Sequence, residues 1–323
     1  MQLASPHAVK RVAIVGAGTI GASWAAHFLA RGLDVQAWDP GPGSETRVRR
    51  FVADAWPALE RLGLAPGADP SRLVWFDELA SALANVQFVQ ESAPEDKALK
   101  RVLYERFDAA LPGDAVMASS TSGLLLSELQ ADRAGRARFV LGHPFNPPHL
   151  IPLVEVLGGA ETAAEVVDWT LAFYDAHGKT AIRLNKEVPG HLVNRLQAAL
   201  WREAVDAVTS GLATVEDVDK AIAYGPGLRW ALMGPHQIFH LAGGSGGMPN
   251  FLEHFGPNIE NWWHDMKDVS LTPEVKTKLI EGVEVEAAGR SVQDLAAERD
   301  ARLLDLLEIL KRARRSAAES TQA

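Results

Sequence analysis

The apolar run Val12-Ala13-Ile14-Val15 passes directly into Gly16-Ala17-Gly18-Thr19-Ile20-Gly21, and helical spacing follows through Ser23, Trp24, Ala26 and Leu29 to Gly32. A strand that turns so tightly into a helix is the opening of a strand-helix-strand unit in a parallel sheet. The three glycines have separable duties. Gly16 makes the turn, Gly18 lets backbone approach a pyrophosphate, and Gly21 lets helix and strand pack closely. The helix N-terminus, with the N–H groups of Thr19 and Ile20, faces the negative charge. A second strand ends at Asp39, where a carboxylate can accept hydrogen bonds from both hydroxyls of an adenine ribose. Asp39 repels a ribose phosphate and no Arg follows it immediately, so NAD is expected rather than NADP.

Strand-length apolar runs alternate with longer amphipathic stretches through the first half of the chain. Strands are predicted over Arg11–Val15, Asp34–Trp38, Leu73–Phe76, Val86–Gln90, Ala115–Ala118, Phe139–Leu141, Leu153–Val156 and Thr180–Arg183. From about Val188 helical spacing takes over, as in Leu192, Leu196, Ala199, Leu200 and Val205 along one face. The expected class is α/β: a Rossmann-type, mostly parallel sheet domain over 1–187, then an all-helical domain over 188–323. The break falls near Lys186-Glu187-Val188-Pro189-Gly190, where Pro and Gly end one element before a long helix. Gly225-Pro226-Gly227 and Gly243-Gly244-Ser245-Gly246-Gly247 read as helix-to-helix turns or as the border of a cleft.

The 323 residues suffice for two domains and a sizeable core, and 47% hydrophobic with 23% charged is a globular composition. No apolar run is long enough to cross a bilayer, and no leader precedes Val12, so a cytoplasmic protein is expected. The absence of cysteine excludes disulfides, thiolate nucleophiles and cysteine-ligated metal centres; no metal is expected, and redox chemistry has to come from a bound cofactor. A net charge of -9 disfavours nucleic acid, since the one dense basic run, Lys311 to Arg315, stands at the C-terminal end.

His143 ends a predicted strand within Gly142-His143-Pro144-Phe145-Asn146-Pro147-Pro148, at the sheet edge where such folds bind ligands. Twelve residues on, Glu155 interrupts the apolar strand Pro152-Leu153-Val154-Glu155-Val156. A buried carboxylate needs a partner, and an imidazole is a suitable one. On spacing alone, a histidine in such a place is more often structural than catalytic, and a Glu paired with some basic side chain is the alternative reading of Glu155.

Ser119-Ser120-Thr121-Ser122-Gly123, the His143 segment with Glu155 after it, and Pro189-Gly190-His191-Leu192-Val193-Asn194-Arg195-Leu196 resemble the successive signatures of the L-3-hydroxyacyl-CoA dehydrogenase superfamily. The likeness runs in order over nearly the whole chain. It implies His143 as general base, Glu155 orienting it, and Ser122 and Asn194 bonding the reacting oxygen. It also implies Glu95 and Lys100, within Glu91-Ser92-Ala93-Pro94-Glu95-Asp96-Lys97-Ala98-Leu99-Lys100, beside the nicotinamide ribose, with Ala93 in the same cofactor loop. Without the resemblance, Ser122 reads as a turn or cap residue, Asn194 as an ordinary helix residue, and Glu95 and Lys100 as a solvated helix start. A homodimer through the helical domain is implied in the same way.

The stretch Tyr224-Gly225-Pro226-Gly227-Leu228-Arg229-Trp230-Ala231-Leu232-Met233-Gly234-Pro235, the run Trp201-Arg202-Glu203-Ala204, and Gly123 depart from the acyl-CoA enzymes. They resemble the branch of carnitine 3-dehydrogenases and lambda-crystallin or gulonate 3-dehydrogenases, which implies a small free L-3-hydroxy acid as substrate. The alternatives are an acyl-CoA thioester and a non-catalytic, crystallin-like NAD-binding protein. A free carboxylate needs a cation, for which Arg229, Lys186 and Arg195 stand as candidates. Trp201, Trp230, Trp262 and Trp263 suit either a cation–π box for a quaternary ammonium or a core or dimer interface.

Overall fold

The computed structural model describes residues 3–322, with side chains described up to residue 313; Arg314 and Arg315 of the basic run lie outside the described side chains. Eight strands form one sheet: β1 (Arg11–Val15), β2 (Asp34–Trp38), β3 (Leu73–Trp75), β4 (Phe88–Glu91), β5 (Val116–Ser119), β6 (Phe139–Pro144), β7 (Leu153–Gly158) and β8 (Thr180–Arg183). Every predicted strand is present. The largest difference is at β6, which runs on through His143 to Pro144 because it pairs there with β7.

The spatial order is β3-β2-β1-β4-β5-β6-β7-β8, parallel from β3 to β6, with β7 and β8 reversed. The order turns back between β1 and β4, so the loops after those two strands open a crevice at their C-terminal ends. Six helices, α1 (Thr19–Ala30), α2 (Ser44–Leu62), α3 (Leu79–Leu83), α4 (Lys97–Ala110), α5 (Leu126–Gln130) and α6 (Ala164–Ala176), cover the two faces. Successive strand residues point to opposite faces, so Phe88 joins Trp24, Phe28 and Phe173 on one side while Val89 joins Tyr104, Phe107 and Phe139 on the other. Strands covered on both faces read as continuous apolar runs.

Contacts divide the chain between Val193 and Asn194. Beyond that point only helices occur among the described residues: α7 (Val193–Thr209), α8 (Val215–Tyr224), α9 (Pro226–Trp230), α10 (Pro235–Ala242), α11 (Gly247–Asp265), α12 (Pro273–Ala287) and α13 (Val292–Gln322). Local signals set their ends. Thr214 caps α8 by accepting from Asp217 N–H, and Thr272 caps α12 ahead of Pro273. Both glycine stretches are helix-to-helix turns: Pro226 opens α9 directly after Gly225, and Gly247 opens α11 at φ 60°.

Candidate active site

The glycine loop has the shape its three glycines predict. A Cβ on Gly16 would stand 2.6 Å from the Ser92 carbonyl, and one on Gly21 would stand 1.8 Å from the Gly16 carbonyl oxygen. A Cβ on Gly18 would meet nothing within 4 Å, so the closely packed turn leaves open space where a pyrophosphate must approach. Thr19, Ile20 and Gly21 open α1 and have no preceding helical turn to bond, leaving N–H groups for an anion. Asp39 also serves the loop itself: Oδ2 accepts from Ala17 N–H at 2.7 Å, and Oδ1 accepts from Gly41 N–H and the Ser44 hydroxyl. Arg47, eight residues beyond Asp39, donates to the Ser44 oxygen and to Pro42. The residues present therefore fit a dinucleotide.

At the end of β4, Glu91 is fully buried and its carboxylate is surrounded by donors: Lys100 Nζ at 2.5 Å, Ser119 Oγ at 2.6 Å, Ala93 N–H at 2.6 Å and Tyr104 Oη at 3.2 Å. Lys100 is thus not part of a solvated helix start. Its ammonium is buried and engaged by Glu91 and the Ala93 carbonyl, so any hold on a ribose passes through the Ser92–Ala93 turn that also touches Gly16. Glu91 carries the same sequence signal as Glu155, a carboxylate against an apolar strand, and the sequence reading assigns it no role.

Glu95 turns toward the Ser119–Gly123 loop. Its Oε1 accepts from the Thr121 hydroxyl at 2.6 Å, Gly123 N–H at 2.8 Å and Ser122 N–H at 2.9 Å. Burial pushes the Glu95 carboxyl up, but these donors and the Lys100 charge outweigh it and hold the group below the ordinary range. Ser122 is exposed, with its backbone pinned and its hydroxyl turned to no hydrogen-bond partner among the described residues.

The β6–β7 register sets His143 directly opposite Glu155, and Nδ1 lies 2.7 Å from Glu155 Oε2. Antiparallel neighbours point to the same face, so the backbone pairing itself brings the two side chains together. The other carboxylate oxygen accepts from Leu192 and Val193 N–H, both at 2.9 Å, where α7 begins. Burial raises the Glu155 carboxyl, yet the His143 bond, the two N–H bonds and the His143 charge more than offset it, and the group stays ionised to below the usual range. A carboxylate on Nδ1 fixes the tautomer with the proton there, leaving Nε2 its lone pair.

The remaining candidates are not gathered at this pair within the first unit. Lys186 is exposed on the connecting segment. Asn194 follows Val193 in the chain and lines an apolar cavity of about 800 Å³ between α7 and α8, with Leu200, Trp201, Val218 and Ile222. Arg229, Trp230 and Arg195 are exposed in the second unit. The indoles are not core: Trp201, Trp262 and Trp263 are 53%, 62% and 65% exposed within the chain. His191, quoted above within a motif, is buried against the Thr121 carbonyl beside His143, and sequence reasoning assigns it no task.

A glycine-loop cradle at the sheet's turning point, with an oriented imidazole near the end of β6 on the same edge of the parallel sheet, defines a dinucleotide-dependent oxidoreductase working on a carbon–oxygen centre. Residues 11–188 match the family model for the 3-hydroxyacyl-CoA dehydrogenase NAD binding domain, and residues 190–278 match that for the C-terminal domain. The chain belongs to the 3-hydroxyacyl-CoA dehydrogenase family and is an NAD-dependent oxidoreductase acting on CH–OH. It is 52% identical to the L-carnitine dehydrogenase of Streptomyces griseus subsp. griseus over 98% of this chain and 95% of that one. It is 53% identical to the L-carnitine dehydrogenase of Streptomyces coelicolor, over 94% and 96%. Among solved structures it is similar to 5-formyl-3-hydroxy-2-methylpyridine 4-carboxylic acid 5-dehydrogenase, an NAD+-dependent dismutase, at TM-score 0.81 and 30% identity, covering 94% of this chain and 99% of that one.

Proposed function

We propose that this enzyme oxidises the 3-hydroxyl of L-carnitine to the 3-keto acid. The observation that carries the reaction is the His143–Glu155 pair, oriented on one side by register and on the other by two backbone N–H groups. His143 Nε2 takes the hydroxyl proton, and the Glu155 carboxylate stabilises the imidazolium that forms. Ser122 and Asn194 hydrogen-bond the oxygen as it becomes a carbonyl. NAD, when bound, supplies the acceptor for the hydride that leaves the carbinol carbon. Gly16, Gly18, Thr19, Ile20, Gly21, Asp39, Ala93 and Glu95 hold it, with Lys100 acting from behind the Ser92–Ala93 turn. What favours carnitine over other 3-hydroxy acids is the pair of near-full-length relatives named for that substrate.

Exposed indoles in the second unit offer faces for a quaternary ammonium, and Arg229, Arg195 and Lys186 offer cations for the carboxylate. The second unit also favours a homodimer. Among its described large apolar side chains only Val205, Val208, Ile238 and Phe251 are buried, while Leu212, Val285, Trp262 and Trp263 stand exposed. An apolar surface of that extent is covered by a second copy in the working enzyme. Among the described residues no helix is long and apolar enough to cross a membrane, and we place the enzyme in the cytoplasm, where NAD is available.

The test is NADH formation at mildly alkaline pH with L-carnitine, L-gulonate, short L-3-hydroxy acids and 3-hydroxybutyryl-CoA. Turnover of L-carnitine that disappears in His143→Ala supports the reading. Turnover confined to the thioester overturns the free-acid assignment, and sedimentation at the mass of one 34.9 kDa chain overturns the dimer.

A further inference from the structure

The short segment from Pro189 to Val193 touches three separate parts of the site. Its Leu192 and Val193 N–H groups hold Glu155, the His191 ring lies 5.1 Å from the His143 ring, and His191 Nε2 lies 3.0 Å from the Thr121 carbonyl oxygen. A carbonyl only accepts, so Nε2 carries the proton and Nδ1 keeps its lone pair. That Nδ1 is sealed from solvent and has no hydrogen-bond partner among the described residues. His191 also sits at φ 52°, a left-handed backbone that a residue with a side chain adopts only at a cost.

A buried imidazole with one idle nitrogen in a strained backbone is a poor space-filler, because an apolar ring would fill the volume without a stranded acceptor. What requires imidazole is the N–H given to Thr121. Thr121 is itself buried, donates its hydroxyl to Glu95 and accepts from Leu124 N–H. Its carbonyl belongs to the peptide that leads into Ser122.

We propose that His191 is a positioning residue that sets Ser122 against the His143–Glu155 pair, by tying the Ser119–Gly123 loop to the segment that holds Glu155. This rests on the assignment of Ser122 to the reacting oxygen. The role is geometric rather than acid–base. Burial lowers the His191 pKa, the Thr121 bond and the Glu155 and Glu95 carboxylates partly offset this, and the His143 charge lowers it further, so the ring stays neutral.

The test is a double-mutant cycle of His191→Phe and Ser122→Ala, read as kcat with NAD and L-carnitine, or with whichever hydroxy acid of the panel is turned over. His191→Phe lowers kcat by on the order of 10-fold to 100-fold, the cost of a misplaced reacting group. It leaves KM for NAD within about twofold of the parent, as expected for a group that acts on kcat alone. His191→Gln, which can still donate to the Thr121 oxygen, recovers most of kcat. In the Ser122→Ala background, His191→Phe changes kcat by less than about twofold, because its action passes through Ser122. The acid limb of the kcat/KM profile stays in place in His191→Phe. A full additional loss in the Ser122→Ala background, or disappearance of the acid limb, overturns the proposal while leaving the dehydrogenase reading intact. Unchanged activity in Ser122→Ala alone overturns the Ser122 assignment and this inference with it. Should His191→Phe not fold, His191→Asn replaces it with the same expectations, since Asn tolerates the left-handed backbone but is too short to reach Thr121.

Discussion

Replacing Glu155 by Gln keeps the shape of the side chain and removes one charge and one acceptor. Glu155 now accepts on both sides, from His143 Nδ1 through one oxygen and from Leu192 and Val193 N–H through the other. A Gln amide has a single oxygen and must choose. Turned toward the two N–H groups it keeps two bonds, each worth about 1 kcal/mol; turned toward His143 it keeps one and sets its NH2 against two donors. One more bond, about 1 kcal/mol, and at least about 1 kcal/mol for the backbone N–H groups otherwise left unsatisfied favour the first orientation by about 2 kcal/mol in all, leaving on the order of 3% of molecules in the second. In the preferred orientation the amide donates to Nδ1, which drives the imidazole proton to Nε2, where the base needs its lone pair. The competent tautomer is therefore scarce, a loss of about 30-fold. Loss of the charge-assisted bond to the imidazolium removes a further ~1.5–3 kcal/mol, or roughly 10-fold to 150-fold. The product is a fall in kcat of about 10³-fold, with NADH affinity within about twofold of the parent. Steady-state NADH formation, beside fluorescence titration of NADH and a melting curve, reads all three quantities. A fall of less than about tenfold in a folded, NADH-binding variant would refute the claim that Glu155 sets the His143 tautomer.

Three further outcomes are expected. Gly18→Ala leaves the melting temperature unchanged but raises KM for NAD, whereas Gly21→Ala, whose Cβ would stand 1.8 Å from the Gly16 carbonyl oxygen, lowers the melting temperature; calorimetry beside kinetics separates them. Lys100→Met strands the buried Glu91 carboxylate and costs about 3–5 kcal/mol in urea unfolding, while Lys100→Met with Glu91→Leu costs less because no charge is left buried. Lys179 is buried on the Pro148 and Ile151 carbonyls, and burial, helped by the Arg31 charge, lowers its pKa from 10.5 to about 7. Between about pH 7 and 10.5 the unfolded chain holds a proton that the folded one lacks, so stability rises with pH through that window, by up to about 1.4 kcal/mol per unit. Lys179→Met flattens this slope, and a slope unchanged in urea titrations at pH 7, 8 and 9 would contradict the assignment.

Much of the first domain was legible because its signals are local. The glycine loop, the strand before it and Asp39 lie within a single strand-helix-strand unit, and strands covered on both faces declare themselves as apolar runs. His143 and Glu155 were legible as individuals, one at a strand end and one against an apolar strand. Their bond, however, depends on β7 reversing and aligning with β6, a register that neither segment encodes alone. Lys100 looked solvated in sequence because nothing nearby in the chain shows that Glu91, at the end of β4, is buried beneath it and held there by Ser119 of β5. His191 escaped for the same reason, since its partners Thr121 and His143 are far away in the chain.

The apolar spacing of α7 was enough to name a helix, yet Leu196, Leu200 and Trp201 remain exposed while Val205 is buried. The sequence alone determined the α/β class, the nucleotide cradle and the identity of the acid–base candidates, because periodicity, turn chemistry and charge out of place are properties of short segments. Tertiary structure decided which of those groups meet, which are sealed behind others, and which apolar faces the chain leaves uncovered, because each is settled by residues distant in sequence competing for the same space.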